Sequence, residues 1–140
     1  MRFLTLLLAI GVLIGSLRAE PPKSNSPLND GNDLLRFMHL AIRAYEGEEF
    51  KSEKERADAA YAMGYLKGVK EASWVLGYSN DSVPYILPTN LQGVHLAKVI
   101  ERYLTIHPEK RDKPPYAVIA LAFTEAFKNP KWKPLPNPSE

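Results

Sequence analysis

This chain has no cysteine. No disulfide can frame it, so packed side chains alone have to hold it together. It also lacks an apolar run of the roughly 20 residues that a bilayer span requires. The longest, Phe3 to Ile14 within MRFLTLLLAIGVLIGSLRA, is broken by Thr5. A basic start at Arg2, that short run and the small residue Ala19 fit an export signal over residues 1–19, cleaved near Ala19, with Leu17 an imperfect −3 residue. An excess of charge is missing too. The chain carries 18 basic and 16 acidic residues, and Arg2 and Arg18 leave with the signal, so 16 of each face one another in the mature chain. Nucleic acid is therefore not an expected partner, nor is a membrane once the signal is gone. What remains, about 121 residues, suffices for one domain with its own core.

What is present reads as all-α: a compact bundle of about four helices between Pro-rich ends, with no strand alternation and no internal repeat. Residues 20–29, EPPKSNSPLN, read as a solvated linker, residues 30–128 as the helical domain, and residues 129–140, NPKWKPLPNPSE, as a disordered tail whose prolines cannot continue a helix. The first helix is expected over Gly31 to Tyr45 with Asp30 or Asn32 as cap. Leu34, Leu35, Phe37, Met38, Ala41, Ile42 and Tyr45 share one face at 100° per residue. The second is expected over Ser52 to Gly77, opened by the capping box Ser52-x-x-Glu55. After the stop at Leu87 and Pro88, a third is expected over Asn90 to Thr105 behind the box Thr89-x-x-Gln92. It buries Gly93, Leu96, Val99, Ile100, Tyr103 and Leu104 and exposes His95, Lys98, Glu101 and Arg102. The fourth starts at Pro114 and Pro115, as prolines do in a first turn, and runs to Phe127. Its sequence YAVIALAFTEAF is apolar on nearly every side, which predicts the most enclosed helix of the set.

Two features ask for a reason beyond helix formation. Gly64 and Gly68 lie one turn apart in a strong helix former, MGYLKGVKEA, where each costs about 1 kcal/mol relative to alanine. With Ala57, Tyr61, Ala72 and Val75 they form a narrow stripe of the kind that lets another backbone approach. A helix crossing is the simpler expectation and a ligand reached through bare backbone the alternative. Trp74 falls on the polar arc of the same helix, in line with Arg56, Met63, Lys67 and Lys70. A large aromatic beside cations is typical of an interface anchor; the other possibility is that residues 77–88, GYSNDSVPYILP, fold back over it. Either way Trp74, Tyr78, Asn80, Asp81 and Tyr85 make the expected partner-binding region.

Catalytic chemistry is not signalled. His39 sits with Arg36 and Arg43, His95 with Lys98 and Arg102, and His107 after a helix end; none has a metal-ligand partner at i+4. His107 suits a helix C-terminus, with Pro108 as the stop. The carboxylates of EGEEFKSEKERAD alternate with lysine and arginine, the pattern of a solvated helix start and not of a desolvated acid–base pair. No nucleophile motif, phosphate-cradling glycine loop or zinc motif occurs, so no catalytic residue, metal or cofactor is expected.

In order along the chain, MGYLKGV (63–69), ILPTNLQGVHLAKVIERYLTIHPEK (86–110) and PPYAVIALAFTEAF (114–127) follow an export signal. This combination resembles the Rap/Tai family of type VI secretion immunity proteins. There a Gly-Tyr-hydrophobic-x-Gly turn, here Gly64, Tyr65, Leu66 and Gly68, precedes a Pro-initiated segment, here Pro88. A Tyr-Leu-x-x-His-Pro-Glu helix end follows, here Tyr103, Leu104, His107, Pro108 and Glu109. A Pro-started apolar helix, here Pro114 to Ala126 and Phe127, closes the pattern. The resemblance implies a small, all-helical, periplasmic and non-catalytic protein, often a homodimer, that binds and blocks peptidoglycan amidases delivered by neighbouring bacteria. It departs in one respect: members commonly carry cysteines near the Gly-Tyr turn and after the final Ala-Phe, where this chain has Ala62 and Asn129. The expected function is an immunity-type protein that occludes a toxin's active site. The alternative is a periplasmic accessory or structural helical domain with no toxin partner.

Overall fold

The computed structural model describes residues 26–77 and 83–132. The helix α1, Gly31–Tyr45, opens where expected: the Asp30 side chain accepts from the backbone N–H of Asn32 and Asp33 at 2.9 and 3.0 Å. These bonds satisfy two of the amide donors that a helix start leaves without partners. Its apolar face then supplies the centre of the protein. Leu34, Phe37, Met38 and Ala41 are wholly buried and Leu40 and Ile42 nearly so; full burial of one Leu, Phe or Met side chain is worth about 1.5–3 kcal/mol.

Three further helices pack around α1. The long α2, Glu53–Gly77, begins at Ser52, whose Oγ accepts from the Glu55 N–H at 3.2 Å. Glu55 reaches back to the N–H of Lys51 at 3.0 Å, one residue before the position that a regular capping box uses. Ala59, Ala62 and Leu66 face the core, the Tyr61 ring meets Phe37 edge-on at 5.4 Å, and Arg36 of α1 pairs with Asp58 at 2.9 Å. Lys54 holds the same carboxylate at 2.8 Å, and these two cations keep Asp58 below the usual carboxylate range. The third helix, α3, is Gly93–Ile106 and contributes Leu96, Ala97, Ile100, Tyr103 and Leu104 to the core. A 3₁₀ turn, Pro108–Lys110, leads to α4, Pro115–Ala126, which packs mainly on α3 through Val118, Ile119, Ala122 and Phe123.

Four expectations change against this architecture. The third helix starts three residues late, because Thr89 and Asn90 are used in a turn closed by the Leu91 N–H on Pro88 C=O at 3.2 Å. Its cap is Gln92, whose N–H donates to His95 Nδ1 at 3.3 Å. The most enclosed helix is α1 and not α4, since α4 rests mainly on α3 and leaves Tyr116 and Leu121 in solvent. Residues adjoining the ends are docked: Leu28 is buried in the core, and Asn29 bonds Asp33 through its N–H and its side-chain amide at 3.1 and 2.9 Å. Finally, Gly64 and Gly68 do not mark a crossing within the chain. Both are exposed, and a Cβ built on either meets nothing within 4 Å. The core stripe of α2 is rotated away from them onto Ala59, Ala62, Leu66 and Ser73; alanines, being good helix formers as well as small, carry the close approach instead.

The segment after α4 closes the bundle. Asn129, expected to begin a tail, is 2% exposed. Its N–H donates to Pro84 C=O and its Nδ2 to Val83 C=O, both at 2.9 Å, while its Oδ1 accepts from the Lys131 N–H at 3.0 Å. Together with the Ile86 N–H on Phe127 C=O at 3.0 Å and the isolated bridge Tyr85–Lys128, it ties residues 83–86 to the end of α4. Tyr85 adds a ring contact with Phe123 at 5.4 Å and a hydroxyl contact with buried Ser73 of α2 at 3.3 Å.

Three outcomes test this packing. Gly68→Ala should raise stability by about 1 kcal/mol in denaturant unfolding, because the helix gains propensity and nothing resists the methyl group. Gly31→Ala, whose Cβ would lie 2.8 Å from Arg111 Cα, should lower it by about 1–3 kcal/mol. Asn129→Ala should cost a further distinct amount, about 1–3 kcal/mol, by leaving buried backbone groups unmatched. A loss no larger than that of an exposed control substitution would remove the clamp from the account.

Candidate functional site

A helix of 25 residues is about 37 Å long, and α1, with 15 residues, cannot cover it. The uncovered part is the C-terminal half of α2. Beyond Leu66 its only buried residue is Ser73, while Trp74, Val75 and Leu76 are 37%, 73% and 57% exposed. Along one side of this half, Met63, Lys67, Lys70 and Trp74 recur at helical spacing and form the wall of a groove of about 420 Å³. Gly64 and Glu71 complete that wall. The opposite wall comes from the end of α1, Tyr45, and the start of α3, Gly93.

Tyr45 and Gly93 depend on each other. The Tyr45 ring lies so close over Gly93 that a Cβ there would strike the hydroxyl, so glycine at this position lets the ring stand as the groove's edge. From the sequence both residues were expected on buried faces, Tyr45 with the apolar face of α1 and Gly93 with that of α3. The usable signal was that both sit at helix termini, where a face ceases to be covered by its neighbour, and that tyrosine has an apolar body with a polar tip.

Charge on the groove is uneven. In the first turns of α2, Lys54 and Arg56 meet carboxylates at 2.8 and 2.7 Å. On the groove, Lys67 reaches Glu71 only at 3.9 Å, and the Lys70 ammonium lies over the Trp74 ring, 4.5 Å from its centroid, with no ion pair among the described residues. Trp74 is thus held by a cation–π contact, worth about 0.5–1 kcal/mol at an exposed site. Nearby Tyr65 is half-buried and stacked on Tyr61 at 6.4 Å, and burial together with Tyr61 pushes its hydroxyl up from the usual tyrosine range.

Of the five residues expected at a partner surface, Trp74 is the one placed on the groove. Tyr85 is half-buried, with ring and hydroxyl engaged inside the fold. Tyr78, Asn80 and Asp81 lie outside the described residues, as do the expected export signal, most of the linker and the last eight residues.

The histidines occupy structural corners. His39 Nε2 meets Glu101 Oε1 of α3 at 2.9 Å, and His95 caps α3. His107 ends α3, its N–H donating to Tyr103 C=O at 2.8 Å. Its ring lies 4.6 Å from that of Tyr103, and its two nitrogens face Glu109 and Glu125 at 3.4 Å each. Burial, then Glu125 and Glu109, push the Tyr103 hydroxyl up. A histidine between two carboxylates is the arrangement that acid–base chemistry would require, but both glutamates are more than half exposed. The cluster is a solvated tie between α3, the Pro108 turn and α4, not a desolvated pocket. Among the described residues no group of histidine and carboxylate side chains could hold a metal, and no helix is long and apolar enough to cross a membrane.

No curated protein and no solved structure is detectably similar to this chain. A family profile is: residues 30–128 match that of the Rap1a immunity proteins, a span that begins at the Asp30 cap of α1 and ends beside the Asn129 clamp. The four-helix domain and its sequence pattern together establish that this chain belongs to the Rap1a family of immunity proteins, which act by binding a toxin effector.

Proposed function

We propose that this chain is exported to the periplasm, loses residues 1–19, and there binds a peptidoglycan amidase delivered by type VI secretion, occluding its active site without chemistry of its own. The observation that carries the reading is the half-covered end of α2. A tryptophan 37% exposed stands beside a groove large enough to seat part of another protein, on a domain that belongs to an immunity family. Occlusion suits such a surface, because it requires only shape and hydrogen bonding against a cleft. Trp74 is the anchor in this reading: large aromatics held in partly formed pockets dominate the energetics of many interfaces. Tyr78, Asn80 and Asp81, four to seven residues further along the chain, are assigned to the same contact region in this reading. Homodimerisation forms part of the proposal, since a second copy would remove Val75 and Leu76 from water.

The test uses mature protein starting near Glu20 and the hydrolase encoded beside it, with cell-wall amidase activity as the readout. Stoichiometric inhibition is expected, and Trp74→Ala should weaken it about 30-fold or more, the effect of losing a hot-spot residue of about 2 kcal/mol. A well-folded wild-type protein that leaves the hydrolase fully active would reject the amidase reading. Full inhibition by Trp74→Ala would keep that reading and remove the groove from the contact.

A further inference from the structure

We infer that the groove beside Trp74 is selective for an acidic segment of the partner: an apolar or aromatic side chain seated between Tyr45, Met63 and Trp74, with a carboxylate next to it reaching Lys70 and Lys67. This inference rests on the reading of the chain as a partner-binding immunity protein and adds the chemistry of what it binds.

The argument is one of charge complementarity on a mostly apolar wall. Met63, Trp74, the Tyr45 ring and the bare backbone at Gly64 and Gly93 offer contact surface with few hydrogen-bonding groups of their own. Among the described residues, two ammonium groups border that surface against one carboxylate, and the carboxylate is 3.9 Å from the nearer of them. Elsewhere on α2 the cations are matched at 2.7–2.8 Å, so the groove is where this helix holds positive charge in reserve. When a partner covers the groove, Lys70 loses water while held against Trp74. A charge withdrawn from water without a counter-charge is costly. A purely apolar occupant would incur that cost, and a basic one would add repulsion. A carboxylate-bearing occupant offsets it, and as the groove dries the attraction between the charges strengthens. The volume, about 420 Å³, lies in the range of clefts that enclose ligand-sized groups, roughly 300–1,000 Å³. It fits a short protruding segment and not a flat domain face. Such a segment is also what an occluding protein would find at the rim of an enzyme cleft.

The probes are three blocked tripeptides with a central phenylalanine flanked by aspartates, by asparagines or by lysines, titrated into mature protein carrying Trp132→Phe so that Trp74 reports alone. The aspartate peptide should shift Trp74 emission to shorter wavelength in a saturable way. The asparagine and lysine peptides should bind about tenfold more weakly or worse, a difference of about 1.4 kcal/mol. High salt should reduce the difference. Lys67→Gln with Lys70→Gln, both at exposed or half-exposed positions, should abolish the preference with unfolding by denaturant unchanged. Equal binding of the aspartate and asparagine peptides, or no saturable binding of any, would overturn the inference. The amidase assay separates this from the reading beneath it. If wild-type protein inhibits the toxin and Lys67→Glu with Lys70→Glu inhibits it equally, the groove chemistry is wrong and the immunity reading stands. If wild type does not inhibit, that reading falls and the peptides still decide the groove.

Discussion

Everything in this bundle is arranged around the apolar face of α1. With no cysteine to brace it, the domain depends on Leu34, Phe37, Met38 and Ala41 being sealed on every side, and α2 and α3 are the helices that seal them. Closely packed interiors resist even small changes in volume, and small buried side chains on both neighbours, Ala59 and Ala62 of α2 and Ala97 of α3, suit close packing of this kind. The polar ties at the margins, Arg36 to Asp58, His39 to Glu101 and the Asn129 clamp, fix how these helices sit without supplying the main driving force. Exposed ion pairs of this sort contribute little individually.

Sealing a helix of 15 residues with one of 25 leaves an excess, and the excess is the surface proposed to bind a partner. The second half of α2 is too polar on its outer arc to be drawn into the core and too far from α1 to be covered by it. It keeps its shape because Ser73, Tyr85 and the segment tied to Asn129 hold its end from below. A rigid, half-covered helix with a tryptophan, a lysine stacked on it, a second lysine only loosely paired with Glu71 and a groove beside it is suited to binding. The histidine corners, by contrast, are tied to carboxylates and solvated. An immunity protein needs affinity and no turnover, and a pre-formed anchor loses less conformational freedom on binding than a flexible one.

The helices were legible because their signals are local. Asp30 and Ser52 as caps, Pro115 at a first turn, and the 3.6-residue recurrence of Leu34, Phe37, Met38 and Ala41 placed α1, α2 and α4 within a residue or two of their observed ends. Three things were not legible. Which of two faces of α2 is buried turns on whether alanine or glycine carries the close approach, and periodicity alone does not say which of two stripes of small residues faces the core when, at 100° per residue, they lie about 150° apart on opposite sides of the helix. The start of α3 was displaced because Thr89-x-x-Gln92 satisfies a capping-box pattern that the Pro88 turn then uses otherwise. The clamp at Asn129 looked like a tail because prolines surround it, whereas its side-chain amide bonds Val83, 46 positions away. Trp74 was visible as an anomaly on a polar arc, but its groove needs Tyr45 and Gly93, which only the tertiary fold brings to it.

The central claim is that the uncovered half of α2 is the surface a partner covers. Amide hydrogen exchange of the mature chain, alone and saturated with the amidase proposed as its target, tests this most directly. The account predicts slowed exchange over residues 63–77 and at the start of α3, around Gly93 and Val94, with α4 unchanged. Protection confined to α4 and the His107 corner, with α2 exchanging as in the free protein, would contradict it.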